Sequence, residues 1–282
     1  YIIPINDAPV LSAIDEQFIA EDTIFSYTLN ASDVDGDDLS YSASTDGNSS
    51  ISIADNQLSV IPIENYNGSI TVSVDVLDGN GGVDSNEFTL TVTPVNDAPV
   101  IALIEDASIN EDSSFSYTLS GSDIDEGDVL SYSAESDGNS SVAVFDDLLT
   151  VVPYPDYDGS IIITAIVSDD SGLTDSTEFI LDIIPINDAP VLSAIDEQSI
   201  AEDAIFSYML NASDIDGDDL SYSVSTDGNS IYSLDNNQLS ITPSENYNGS
   251  ITVSVDVLDG NGGVDSNEFT LTVTPVNDAP VI

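Results

Sequence analysis

Along residues 25–32, Phe25, Tyr27, Leu29 and Ala31 alternate with Ser26, Thr28, Asn30 and Ser32, so every second side chain is apolar. The same period governs Ile70, Val72, Val74 and Val76 against Thr71, Ser73, Asp75 and Leu77, and Phe88, Leu90 and Val92 against Thr89, Thr91 and Thr93. Successive side chains of a strand point to opposite faces, so this spacing predicts strands with one face buried and one in water. Such runs fall at 14–20, 25–32, 39–45, 50–54, 57–63, 69–77 and 86–95, and the breakers DGDD, DGN, ENYNG and DGNGG supply the turns between them. No segment shows a 3.6-residue period, so the chain reads as all-β.

The pattern is written three times. Asn6, Asn96, Asn187 and Asn277 each stand in the phrase PINDAPV or PVNDAPV, which recurs every 90 or 91 residues. Other landmarks keep step: Glu21, Glu111 and Glu202 in IAED or INED, and Asp33, Asp123 and Asp214 opening SDVDGDD, SDIDEGD and SDIDGDD. Residues 64–101 are identical to 245–282, whereas the middle copy differs and carries one extra residue near Glu126. The order is A-B-A. Residues 1–7 read as the tail of a preceding repeat with its linker, followed by repeats at 8–97, 98–188 and 189–278 and the start of another at 279–282. About seven strands in about 90 residues is the expectation for an immunoglobulin-like sandwich. An odd strand number places the termini at opposite poles. The expected architecture is three seven-stranded Greek-key sandwiches stacked end to end in a rod.

Composition narrows the function. The chain of 282 residues holds 53 acidic side chains and no Lys, Arg, His or Cys, for a formal charge of −53. Apolar residues at 41% still allow a core. Nucleic acid and anionic membrane surfaces are excluded as partners, because phosphate contacts need cationic side chains, and no apolar run is long enough for a membrane helix. The missing residue types also remove triads, Schiff-base chemistry, disulfides and His- or Cys-bound zinc. Two-carboxylate glycoside hydrolysis survives that filter, but near-identical repeats of this size offer no deep cleft for it. The chain is expected not to be an enzyme.

The acids gather at strand ends and linkers, as with Glu21-Asp22, Asp33-Val34-Asp35, Glu64, Asp78 and Asn96-Asp97 in the first copy. Carboxylates brought close together repel, and no side chain here can neutralise them. A hard divalent cation can, and an oxygen-only donor set describes Ca²⁺ better than Mg²⁺ or a transition metal.

With these residues in place, the chain resembles the bacterial cadherin-like tandem repeats of large secreted surface adhesins. In that family calcium ions lie between successive domains, held by an early Glu, a D-R-E loop, the linker, and a D-x-D pair with a later Asp of the next domain. The resemblance implies one ligand set of Glu21, Asn96, Asp97, Asp123, Asp125 and Asp169, and a second of Glu111, Asn187, Asp188, Asp214, Asp216 and Asp259. At the outer linkers it implies Asn6, Asp7, Asp33, Asp35 and Asp78 on one side, and Glu202, Glu245, Asn277 and Asp278 on the other. The D-R-E loop is replaced by Glu64-Asn65-Tyr66 and by Pro155-Asp156-Tyr157, with Asp156 its acid, which implies one or two ions per junction.

The same residues admit local alternatives. The run from Asp33 begins like an EF-hand, but its sixth residue is Asp38 rather than Gly and its twelfth is Ser44 rather than Glu. Asp46, Asp55, Asp84 and Asp106 read as solvated surface acids. Tyr66, Tyr157 and Tyr247 read as core or corner residues, with carbohydrate stacking as the alternative. The expected function is a calcium-stiffened extender of an extracellular, secreted adhesin or fibre that supports cell adhesion and biofilm attachment. Its expected partners are further repeats of the same chain. Two alternatives stay open: a self-assembling filament, with or without attached sugar, and repeats that bind one another, neighbouring fibres or surface glycans.

Overall fold

A computed structural model describes residues 5–277 of the chain. The first repeat comprises β1 (Val10–Leu11), β2 (Gln17–Ala20), β3 (Phe25–Thr28), β4 (Ala31–Ser32), β5 (Ser40–Thr45), β6 (Ser49–Ala54), β7 (Gln57–Pro62), β8 (Gly68–Leu77) and β9 (Val83–Thr93). They form a four-stranded sheet β2-β9-β8-β5, a three-stranded sheet β3-β7-β6 and a short β1-β4 pair. All pairings are antiparallel except β2 with β9. There is no helix among the described residues, and so none long and apolar enough to cross a membrane.

The alternation decides which faces meet. Ile70, Val72, Val74 and Val76 of β8 are fully buried, and Leu90 of β9 and Leu58 and Val60 of β7 join them between the sheets. Phe25 crosses the gap to Phe88, with ring centroids 5.9 Å apart. Each such side chain contributes about 1.5–3 kcal/mol by leaving water. With neither disulfides nor cationic side chains in the chain, this core carries the fold.

Seven predicted runs become nine segments: backbone pairing breaks one run in two and adds one strand that the alternation did not mark. Leu29 N donates to Asn56 O at 2.8 Å and the Asn56 amide returns to Leu29 O, which ends β3 at the hairpin joining β6 to β7. Ser12 N then donates to Asn30 O, so β4 pairs with β1 and not with β7. β1 lies ahead of the first predicted run, 14–20, and joins β4, while β2 within that run lies parallel to β9.

Tyr66, Tyr157 and Tyr247 are half-buried, and their hydroxyls donate to the carbonyls of Ser69, Ser160 and Ser250. They are corner residues. Gly68 follows Tyr66 at φ +140°, and a Cβ there would lie 3.0 Å from the Tyr66 hydroxyl.

The third repeat reproduces the first, with Gln198–Ala201 parallel to Val264–Thr274 and Ser221–Thr226 antiparallel to Gly249–Leu258. In the middle repeat Ala107–Asn110 likewise runs parallel to Thr174–Ile184. The chain divides into two compact units. The first runs to Leu103 and adds Leu119–Ser133 and Ala165–Thr177; the second takes Ile104–Thr118, Ala134–Thr164 and the chain from Glu178. The linker at Asn96-Asp97 and its acids lie in the first unit, and the linker at Asn187-Asp188 and its acids in the second.

Candidate metal centres at the linkers

Each linker is tied to the repeat that follows it by the same pair of bonds. The Asn6 amide donates to Asp78 Oδ2 at 2.7 Å, Asn96 to Asp169 Oδ2 at 2.7 Å and Asn187 to Asp259 Oδ2 at 2.8 Å. The next backbone N–H, from Asp7, Asp97 or Asp188, donates to Oδ2 of Asp35, Asp125 or Asp216. Asp78, Asp169 and Asp259 are buried and also accept bonds from the turn that follows them. The Asn amide, opposed by burial and reinforced by those backbone donors, holds each of them below the ordinary carboxylate value.

The preceding repeat supplies the other wall. Glu21, Glu111 and Glu202 are buried, and each accepts the backbone N–H of a linker residue, Val95, Ile186 or Val276. Asp22 and Asn65 both adopt left-handed backbone at φ 58° and 55°, a conformation Asp and Asn tolerate. Asn65 N donates to Asp22 Oδ1, which joins the two turns. The Asn65 amide then lies 3.2 Å from Asp22 Oδ2 and from Asp97 Oδ2. Turned one way it donates to both carboxylates; turned the other it offers its oxygen to a cation they share.

Carboxylate oxygens converge as a result. Glu21, Asp97 and Asp125 bring one oxygen each within 4.8 Å of one another, as do Asp123, Asp128 and Asp169 in the first unit, and Glu111, Asp188 and Asp216, with Asp112, Asp156 and Asp188, in the second. Burial and the facing charges of Asp125, Asp22 and Glu21 push Asp97 above the ordinary carboxylate value. Burial and the charges of Asp156 and Asp216 do the same to Asp188.

One oxygen of each D-x-D leader is already spent. Asp33, Asp123 and Asp214 accept the backbone N–H of Asp35, Asp125 and Asp216 through Oδ1. Their Oδ2 atoms are buried without a hydrogen-bond partner, as are Asp128 Oδ2 and Asp188 Oδ2. A buried, unpartnered carboxylate oxygen is costly unless a cation meets it. The donor set is oxygen throughout, and the protein has no cationic side chain, so the residues fit a hard divalent ion.

Of the expected ligands, the geometry gathers Glu21, Asn96, Asp97, Asp123, Asp125 and Asp169, and likewise Glu111, Asp156, Asn187, Asp188, Asp216 and Asp259. Asp214 stands beside Asp216 through its turn. Around the first linker Asp33, Asp35 and Asp37 cluster. Glu64 and Glu245 are exposed, and at the position of Glu64 it is the neighbouring Asn65 that reaches the acids. Asp278, like residues 1–4 and 279–282, lies outside the described residues.

Sequence spacing also missed Asn80 and Asn261, whose amides donate to Asp37 Oδ2 and Asp218 Oδ2, and it gave no role to Asp128. Asp84 and Asp106, read as solvated, are structural acceptors for Leu11 N and Ile180 N.

Comparison with known proteins bears on both fold and site. The family described as bacterial Ig domain matches residues 96–182 and 187–274. The family described as cadherin-like domain matches residues 5–93. No curated protein sequence matches the chain. Among solved structures it is similar to the extracellular cadherin domains 1–5 of protocadherin gamma B2, with a TM-score of 0.57 and 17% identity over 97% of this chain and 61% of that one. Mouse cadherin-23 EC22–24 gives 0.55 and 16% over 96% of this chain and 100% of that one. Protocadherin gammaB7 EC3–6 gives 0.53 and 16% over 95% and 74%. At these identities the likeness shows the fold: tandem cadherin-type sandwiches. The chain spans 61% of the length of those protocadherin gamma B2 domains.

Proposed function

Because the chain belongs to the bacterial Ig domain family, we propose that it is an extender segment of a large extracellular, secreted adhesin or fibre, stiffened by calcium at its linkers. Domains of this kind are structural adhesion modules and not enzymes. The observation that carries the reading is the recurrence of a buried, unpartnered Oδ2 on Asp33, Asp123 and Asp214, beside each linker, in a protein without a cationic side chain.

Glu21, Asp97, Asp123, Asp125 and Asp169 would hold Ca²⁺ at one linker, and Glu111, Asp156, Asp188, Asp216 and Asp259 at the next. The ion supplies the positive charge that these oxygens lack. The linker amides orient the carboxylates, and the buried Glu residues fasten the linker backbone to the preceding repeat. Donors drawn from two neighbouring repeats convert a hinge into a strut.

A site with a Kd of about 10⁻⁵ M gains roughly 2.7 kcal/mol at about 1 mM calcium, a large share of a small domain's stability. Inside a cell, where free calcium is scarce, the same acids repel and keep the linkers loose.

Some exposed apolar side chains recur in every copy, as Val10, Val100 and Val191 do, but the outward strand positions are mostly Ser, Thr, Asn and Asp, which favours an inert shaft over an adhesive surface. Phe18 is 66% exposed in the first repeat, but its counterpart in the third is Ser199.

Small-angle scattering with 2 mM CaCl₂ and then excess EGTA, at fixed ionic strength, tests the proposal. The expected result is a larger maximum dimension in calcium with an unchanged β spectrum. A profile indifferent to calcium defeats it and turns attention to filament contacts or glycan binding.

A further inference from the structure

The A-type and B-type repeats differ at their poles in one consistent way. At the carboxy-terminal pole, Asn65 and Asn67 of the first repeat are replaced by Asp156 and Asp158 in the middle one, and Asn246 and Asn248 return in the third. At the amino-terminal pole, Asn80 and Asn261 satisfy one oxygen of Asp37 and of Asp218 by donating amide hydrogens at 2.8 and 2.6 Å. In the middle repeat Ser171 stands at the position of Asn80, Asp170 at that of Gly79, and the extra residue comes with Glu126. Asp128 thereby loses the amide, and its Oδ2 is buried without a partner. Burial and the charges of Asp170 and Asp123 push Asp128 above the ordinary carboxylate value.

Each linker therefore brings one amide-bearing wall against one carboxylate-only wall. In the first unit a cleft of about 420 Å³ sets Asn67 against Asp125, Glu126 and Asp128. In the second unit a cleft of about 460 Å³ sets Asp156 and Asp158 against Asp218 and its amide partner Asn261. Both clefts set an amide-bearing wall against an acid-rich one, and the sides are exchanged.

We infer that the alternation is a matching rule: the acid-rich pole of a B-type repeat is the fitted neighbour of the amide-bearing pole of an A-type repeat. The inference rests on the calcium reading above and adds partner choice to it. Two amide-bearing poles would offer a hard cation fewer carboxylates. Two acid-rich poles would repel strongly whenever calcium is scarce. Alternation gives both linkers one amide-bearing and one acid-rich wall, so both fill over one range of calcium concentration.

Calorimetric calcium titration of the full 282-residue chain, stripped with chelator, tests this alongside melting in EGTA. Two double variants convert one linker each to a like-on-like pair: D156N/D158N and N65D/N67D. Asp156 adopts the same left-handed backbone as Asn65, with φ 55° at both, so each exchange suits the local fold.

The unaltered chain is expected to fill both linkers within one concentration range. D156N/D158N is expected to weaken one linker by about tenfold or more and leave the other unmoved. N65D/N67D is expected to tighten the Asn96 linker and to lower the melting temperature in EGTA.

Binding by the unaltered chain with both variants unmoved overturns this inference alone. So does a difference of more than about tenfold between its two linkers. No binding by the unaltered chain overturns the calcium reading and this inference with it.

Discussion

At the scale of single residues, the linkers depend on atoms that are missing as much as on those present. Gly263 N donates to both carboxylate oxygens of Asp259, and a Cβ on Gly263 would lie 2.2 Å from Asp259 Oδ2 and 2.7 Å from Ala189 Cα. In this repeat the acid and the linker backbone occupy the space that a Cβ would take. At the corresponding position the middle repeat has Leu173, whose N–H meets only Oδ1 of Asp169. Gly263→Ala is therefore expected to cost about 1–3 kcal/mol through overpacking. It is also expected to weaken calcium uptake at the Asn187 linker while the Asn96 linker keeps its affinity. Thermal melting and calcium titration of the variant check both effects.

At the scale of elements, strands β8 and β9 place hydrophobic cargo on one face and Ser, Thr and Asp on the other. Leu90 is fully buried where Thr89, one residue earlier, faces outward. Leu90→Ala is expected to destabilise the first repeat by about 2–5 kcal/mol, and Thr89→Ala by less than about 1 kcal/mol. A contrast read by thermal denaturation checks the alternation directly. Equal effects would mean that the faces are not distinguished. Loops, not strands, carry the candidate ligands, and the strands fix where those loops meet: β2 beside β9 puts Glu21 at the start of the linker that β9 feeds.

At the scale of the whole molecule, a formal charge of −53 with no compensating side chain is a standing repulsion. Its range follows the Debye length, about 10 Å at 0.1 M salt and about 3 Å at 1 M. The chelated protein is expected to melt several degrees higher in 0.5 M than in 0.02 M NaCl. With calcium bound, the same change of salt is expected to matter less, because the closest carboxylates are already neutralised. Melting curves at both salt levels, with and without EGTA, decide it. An equal salt effect in both would show that the linker acids contribute nothing special to the repulsion.

Periodicity and recurrence determined much of this protein without coordinates. Period-two alternation settles the strands because a side chain's face depends only on its parity, and a repeated phrase settles the tandem order because each copy must fold alike. The acid-rich linkers were legible for the same reason: Asn96, Asp97, Asp123, Asp125 and Asp169 recur as a set. Tertiary structure alone decided which oxygens are left over. Left-handed backbone at residue 65 turns Asn65, not Glu64, toward Asp22 and Asp97. An amide 43 residues away in the chain decides whether Asp37 is satisfied, whereas its counterpart Asp128 has no such amide and keeps a buried oxygen unpartnered. Facing and partnering of that kind are set by dihedral angles and long-range contacts, which residue spacing does not encode.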